Sequence, residues 1–445
     1  MSAARRLIGP LAVAAVCSLA LAAGASAAVA PDADGVASLP TLGPVAQPQF
    51  AGYSSVTTTP CADVQCTDRA GLFYWLFGKT APNYRTEPTI VWSNGGPGAS
   101  SFYGPLSENG PYNVNAMAGL VPNPDSWTQG ANYLFFDHPL GTGLSFPFKG
   151  KVAPDLATGI AQLYNSLVGV VKRRGLENSP LYLTGESYGG TYMPLLAKRI
   201  LDGNAKGDPE VRLGGVIIAA GWVDPLVQVS TTADYALSHG LIDADQKVKV
   251  DRTLARCRKL MRAPPPSSAA ATNTCYSIQN QIRKLSGRYL ANIAQSDDID
   301  YQPLIDFVNR PDVRVALHAP AAGKFSLFSE KVGDAYTRGG MDSYRSVVAE
   351  LLDRGVPVLV ITGLNDAKDT NVIGTRAWIS KLAWRKGASY RRATRTRWRD
   401  GNGLVLGYVQ KGGGLTNLEV LGAGHLGVRD EPRILDQVER FMAGG

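Results

Sequence analysis

The chain has 445 residues, enough to bury a large core, and its 44% hydrophobic and 18% charged content is an ordinary globular balance. The formal charge of +8 falls to +6 once Arg5 and Arg6 are removed with the N-terminal segment described next, an excess too modest to argue for a polyanion partner. Only four histidines (His138, His239, His318 and His425) are available for imidazole chemistry.

Arg5 and Arg6 precede an apolar run from Leu7 to Ala23 and the small-x-small pattern Ala25-Ser26-Ala27. Residues 1–27 therefore read as a secretory signal cut near Ala28, with an apolar core short for a spanning helix. The mature chain is expected to be secreted or periplasmic, and no later stretch is apolar enough to cross a bilayer. Residues 28–50, rich in Ala, Pro and Gly without periodicity, read as a flexible leader. Cys17 leaves with the signal, and the even set Cys61, Cys66, Cys257 and Cys275 suggests disulfides in an exported protein. Proximity favours Cys61 with Cys66 and Cys257 with Cys275 among three possible connectivities. No histidine is close enough to either pair to make a zinc site, and no metal or cofactor is expected.

From residue 51 onward, apolar strand-like runs alternate with amphipathic helical spacing. The runs are Leu72 to Phe77, Thr89 to Trp92, Tyr133 to Phe136, Leu181 to Thr184, Val216 to Ala220, Pro357 to Thr362 and Leu418 to Leu421. Helical spacing follows over Leu156 to Lys172 and Thr191 to Leu201. This alternation predicts an α/β protein with a mostly parallel central sheet covered by helices. The pattern lapses over about 226–310, where helical stretches broken by Ala263-Pro264-Pro265-Pro266 suggest a helical cap inserted over the catalytic edge. The Gly78-Lys79-Thr80 tripeptide lacks the upstream glycine of a phosphate loop, because Gly71 is two residues too far away. The basic run Arg385 to Arg399, interleaved with Trp384, Tyr390 and Trp398, reads as a solvated strand pair rather than a nucleic-acid site.

The chemistry centres on Gly185-Glu186-Ser187-Tyr188-Gly189, a Gly-x-Ser-x-Gly turn between a strand and a helix. Such a turn holds the serine at strained backbone angles and lifts its hydroxyl above the sheet edge. A serine hydroxyl needs a base to take its proton and a carboxylate to orient that base. His425, in Gly422-Ala423-Gly424-His425 directly after a strand, is the best-placed base; Asp366, after the Pro357 to Thr362 strand, is the acid, with Asp369 as the alternative. The other three histidines read as loop or core residues with satisfied hydrogen bonds. Glycine-dense Asn94-Gly95-Gly96-Pro97-Gly98, also after a strand, permits close backbone approach to a ligand.

Taken together, Trp92-Ser93-Asn94-Gly95-Gly96-Pro97-Gly98, Gly185 to Gly190 and Gly422 to His425 resemble the serine carboxypeptidase family of the α/β-hydrolase fold. Asn123-Pro124-Asp125-Ser126-Trp127, Ser238 to Ile242 and Asn309 to Val313 support the likeness, in the family's order over 51–445. The resemblance implies a Ser187, Asp366 and His425 triad with an oxyanion hole from the N–H groups of Gly96 and Tyr188. It also implies that Asn94, Glu108, Glu186 and the N–H of Gly95 grip the C-terminal carboxylate of a peptide, supported by Trp92. Two acids can hold a carboxylate only if they carry protons, so binding is expected to be tightest at acidic pH. The chain departs from the family at Ala99, often a cysteine, at Leu364, commonly an aspartate, at one extra residue after Asp366, and at Gly427-Val428-Arg429. An esterase or acyltransferase on the same fold is the main competing reading, and a non-catalytic binding protein a lesser one.

Overall fold

The apolar runs become strands. In the computed structural model, which describes residues 33–56, 70–79, 83–146, 151–265, 267–320 and 323–444, these are β1 (Ser38–Leu39), β2 (Gly43–Pro44), β3 (Gln49–Ser55), β4 (Gly71–Phe77), β5 (Thr89–Ser93), β6 (Tyr112–Val114) and β7 (Leu120–Pro122). They are followed by β8 (Asn132–Phe136), β9 (Leu181–Glu186), β10 (Leu213–Ala219), β11 (Val358–Gly363), β12 (Thr396–Arg399), β13 (Val405–Gly412) and β14 (Leu415–Val420). The signal segment, Cys61 and Cys66 lie outside the described residues.

Ten strands form one sheet in the order β12-β13-β14-β11-β10-β9-β5-β8-β4-β3. The six from β14 to β8 run parallel, and antiparallel strands flank them on both sides. Inner parallel strands are buried on both faces, which is why they read as unbroken apolar runs. Side chains alternate between two cores. Leu181, Leu183, Val216, Ile218, Val358 and Val360 pack into one, while Tyr182, Ile217, Ala219, Leu359 and Ile361 pack into the other. Helices Leu156–Arg174 and Gly189–Lys206 cover the first face; Gln302–Asn309 and Ile434–Met442 cover the second. Helix Leu156–Arg174 starts where Asp155 accepts from the Thr158 N–H and stops at Gly175, whose φ of 67° only glycine adopts freely.

The flexible-leader expectation fails from Asp34 onward. β1 pairs with β2, and Val36 and Leu39 are buried. The buried Asp34 carboxylate meets Arg174 at 3.0 Å and accepts the Tyr74 hydroxyl. Three anchors spaced along an otherwise nondescript stretch hold it down, and composition does not reveal them. Between β10 and β11 the chain is helical well past residue 310, ending with helix Arg345–Asp353. Within this connection, helices Ala244–Arg262 and Ala269–Ser286 are joined by a Cys257–Cys275 disulfide. The basic run is only partly a strand pair: residues Gly387–Arg392 are helical before β12 pairs antiparallel with β13. Trp384, Tyr390 and Trp398 are buried rather than offered for stacking, and Arg395 joins Arg376 on the buried Glu419 carboxylate. No helix among the described residues is long and apolar enough to cross a membrane.

Candidate active site

The Gly-x-Ser-x-Gly turn leaves β9 and enters helix Gly189–Lys206 with Ser187 at φ 57°, in the left-handed region that a side-chain-bearing residue occupies only under constraint. The constraint is visible. The Ser187 N–H donates to the Ala219 carbonyl at 3.0 Å, and its own carbonyl accepts from the Trp222 N–H at 2.8 Å. The flanking glycines serve close packing: a Cβ on Gly185 would lie 2.0 Å from the Gly189 oxygen, and one on Gly189 would lie 2.4 Å from the Ser93 oxygen.

Asp366 and His425 sit on the loops after β11 and β14, neighbouring parallel strands. The Asn365 N–H donates to the Ala423 carbonyl at 2.8 Å, tying the two loops together. Residues 290–293 of the helical connection also touch both loops, since Leu290 accepts from the Ala367 N–H and Ala291 from the His425 N–H. His425 Nδ1 lies 3.0 Å from Asp366 Oδ2, both groups being buried. The second Asp366 oxygen accepts the Lys368 N–H at 2.8 Å. Asp369 makes no such bond to the imidazole. Thr370, which the sequence did not single out, completes the cluster: its Oγ1 donates to Asp366 Oδ2 at 2.8 Å and lies 2.9 Å from His425 Nδ1. Its only sequence signal is a position four residues after the acid.

Ser187 and His425 line one cavity of about 380 Å³ together with Asn94, Gly95, Gly96 and Glu186. No direct hydrogen bond joins the serine hydroxyl to the imidazole among the described residues. Gly95 packs its backbone against Tyr188, where an added Cβ would lie 2.2 Å from the Tyr188 nitrogen. Gly96 stands at φ 108°.

Asn94, Glu108 and Glu186 converge although they are far apart in sequence. Asn94 Nδ2 donates to Glu186 Oε1 at 3.0 Å and to Glu108 Oε1 at 3.2 Å. Its Oδ1 accepts from Trp92 Nε1 at 2.7 Å and from the Gly104 N–H at 3.2 Å, which fixes the amide's orientation. Both glutamates are buried, each accepting from the Asn94 amide through Oε1 while its Oε2 has no hydrogen-bond partner among the described residues. Burial pushes both acids up from the usual carboxylate range, Glu186 the further because the Glu108 charge adds to it. Both shifts favour the protonated form of the pair.

The remaining histidines are structural, with one surprise. His239 Nδ1 meets the Tyr235 carbonyl and His318 Nδ1 the Ala51 carbonyl. His138 is fully buried with neither ring nitrogen partnered, contrary to the satisfied core residue expected, and burial pushes its pKa down to about 3. Among the described residues no group of three or more His, Cys, Asp or Glu side chains gathers as a metal set would.

A family model described as serine carboxypeptidase matches residues 40–444. The chain is 30% identical to serine carboxypeptidase-like 50 of Arabidopsis thaliana, over 90% of this chain and 88% of that one. It is 30% identical to a venom serine carboxypeptidase of Apis mellifera, over 84% and 81%. A crystal structure of a prohormone-processing carboxypeptidase from Saccharomyces cerevisiae superimposes with a TM-score of 0.78 over 89% of this chain and 91% of that one, at 24% identity, which shows a shared fold. The mostly parallel sheet, the serine elbow on β9 and the family match over nearly the whole described chain agree: this protein belongs to the serine carboxypeptidase family and has the α/β-hydrolase fold.

Proposed function

We propose that this protein hydrolyses the C-terminal peptide bond of peptides through an acyl-enzyme on Ser187, most efficiently at acidic pH. The observation that carries the reading is the cavity in which Ser187 and His425 stand beside Asn94 and Glu186, with the buried Glu108 held on the same Asn94 amide. His425 Nε2 takes the Ser187 proton as the hydroxyl attacks the scissile carbonyl. Nδ1 faces Asp366 and Thr370, which hold the ring and favour its positive charge. The oxyanion lies against the N–H groups of Gly96 and Tyr188. His425 then returns its proton to the leaving amine, and water repeats the sequence to free the enzyme. The leaving residue's carboxylate accepts from the Asn94 amide, the Gly95 N–H and a protonated glutamate, with Trp92 aligning Asn94.

An esterase or acyltransferase would share the acyl-enzyme but has no use for a free-carboxylate clamp. A peptide acid and its C-terminal amide, compared at pH 4–5, separate the readings: the acid is expected to react at least about tenfold faster, since a charged hydrogen-bond set is at stake. Equal rates would sink the carboxypeptidase reading. Export follows from Arg5, Arg6, the apolar run and Ala25-Ser26-Ala27, and the Cys257–Cys275 disulfide suits an oxidising compartment. A mature protein that kept Met1 and stayed in the cytosol would contradict it.

A further inference from the structure

The loop that presents His425 is Gly422-Ala423-Gly424. Apart from the buried Ala423 methyl it offers no side chain to pack, so its register rests on backbone hydrogen bonds. It is pressed between two neighbours with no room to spare. A Cβ on Gly363, at the end of β11, would lie 2.1 Å from the Gly424 oxygen, and one on Gly424 would lie 2.1 Å from the Ala291 oxygen.

The segment Leu290 to Gln295 lies across this loop, and its Ala291 carbonyl accepts the His425 N–H. The segment's own shape is fixed. Arg288 donates to the Ile293 and Gln295 carbonyls at 3.1 and 3.0 Å, and Asn292 Oδ1 accepts the Ala294 N–H at 3.0 Å. That last bond leaves Asn292 Nδ2 as a donor, aimed at the Gly422 carbonyl at 3.3 Å and at Asp430 Oδ2 at 2.9 Å. Asp430 ends the short helix Gly427–Asp430 just after the histidine. Its Oδ2 also accepts the buried Gly424 N–H at 2.8 Å, and its Oδ1 accepts from Gln295 Nε2 at 3.3 Å. One carboxylate therefore joins the backbone immediately before His425 to a segment that walls the Ser187 cavity through Leu290 and Ala291. Its bond to Gly424 is charge-assisted, about twice as strong as a neutral one.

We propose, on the acyl-enzyme reading upon which this inference rests, that Asp430 is a positioning residue: it holds the Gly422 to His425 loop against the Leu290 to Gln295 segment and so keeps the imidazole within reach of the Ser187 hydroxyl. Asp430 does not border the cavity and acts through the Gly424 N–H. In Asp430→Asn the amide oxygen still accepts from Gly424 and Asn292, and the Gln295 amide turns over to receive the new N–H. Asp430→Ala leaves the Gly424 N–H without that acceptor.

The test compares wild type, Asp430→Ala and Asp430→Asn as full-length purified proteins, each with a native far-UV circular dichroism spectrum. It reads kcat and KM on an N-blocked dipeptide acid at pH 5, and the rate at which a serine-directed phosphonylating reagent labels Ser187. Asp430→Ala is expected to lose about 10- to 100-fold in kcat, the cost of a misplaced catalytic group, with KM changed less than about threefold and labelling slowed to a similar extent. Asp430→Asn should stay within about threefold of wild type on both measures. A purely structural role would lower the melting temperature with kcat and labelling per folded molecule unchanged, and would overturn the inference. A rise in KM alone, or equal losses in Asp430→Ala and Asp430→Asn, would overturn it too. Should Asp430→Ala not fold, Asn292→Ala cuts the same tie from the other side and must lower kcat about fivefold or more; an unchanged kcat there is equally fatal. Wild-type protein that ignores the peptide acid and hydrolyses its C-terminal amide ends the carboxypeptidase reading alone, because the labelling rates still decide the role of Asp430.

Discussion

The Glu108 and Glu186 pair makes a quantitative claim about pH. On the proposed mechanism the free enzyme keeps a proton on its two buried carboxyls, both of which burial raises, and a substrate carboxylate docks only while protonated glutamate faces it. The acids are raised, so the docking-competent form dominates below their coupled titration and disappears as pH climbs through it. Each pH unit beyond that point raises KM about tenfold for one required proton. The ceiling follows from electrostatics: Asn94 bonds both acids at 3.0 and 3.2 Å, so a ligand sharing that amide stands about 4 Å from them. One uncompensated like-charge contact at that distance costs about 4 kcal/mol at an effective dielectric of about 20, or roughly a thousandfold in KM. The assay is steady-state hydrolysis of an N-blocked dipeptide acid from pH 4 to 8, beside the Glu108→Gln, Glu186→Gln double variant. The glutamine amides donate at every pH, so the variant's KM should stay level where the wild-type KM climbs. A flat wild-type profile, or a climb of the same steepness in the double variant, would refute the proton-sharing argument. The same pair predicts stability with the opposite sign from surface acids: because the folded values are raised, its contribution is full at low pH and lost as pH rises through the folded titration.

Thr370→Val removes the hydroxyl bonded to both Asp366 and His425 and should lower kcat about 5- to 30-fold with KM little changed, while Thr370→Ser restores it; equal losses in both variants would deny the hydroxyl that role. Asp34→Ala removes the carboxylate that pairs with the buried Arg174 guanidinium and should cost about 3 kcal/mol in a urea titration; an unchanged midpoint would mean that the docked leader contributes nothing. Replacing Cys257 and Cys275 with alanine opens a bridge between residues 18 apart and should lower stability by about 3 kcal/mol by the chain-entropy argument. Because helix Ala269–Ser286 lines the cavity at Ser187, its loosening should show as a higher KM before any loss of kcat.

The inner strands were legible because burial on both faces writes a continuous apolar run, as in Leu181 to Leu183 and Val216 to Ala219. Residues that converge at the site, such as Asn94 and Glu186, separated by 92 positions, were legible only through the family likeness; no local period marks them. Thr370 left only its spacing from Asp366, since one hydroxyl on a loop has no pattern to stand out from. The same holds for Asp34 and Val36: a buried charge and two apolar contacts dock a segment whose composition reads as disorder. The arginines from 385 to 399 show the converse error. Charge density suggested a solvated strand pair, yet Arg395 is tied to Glu419 and the aromatics between the charges turn inward.

The central claim is that one hydroxyl, at the turn after β9, carries the acyl group. Exposure to a serine-directed phosphonylating reagent, followed by peptide mapping, tests it most directly. The account predicts one phosphonyl group per chain, on Ser187, with peptide hydrolysis lost in proportion and both labelling and hydrolysis absent in Ser187→Ala. Hydrolysis that survived in Ser187→Ala, or inactivation with the label on another residue, would contradict it.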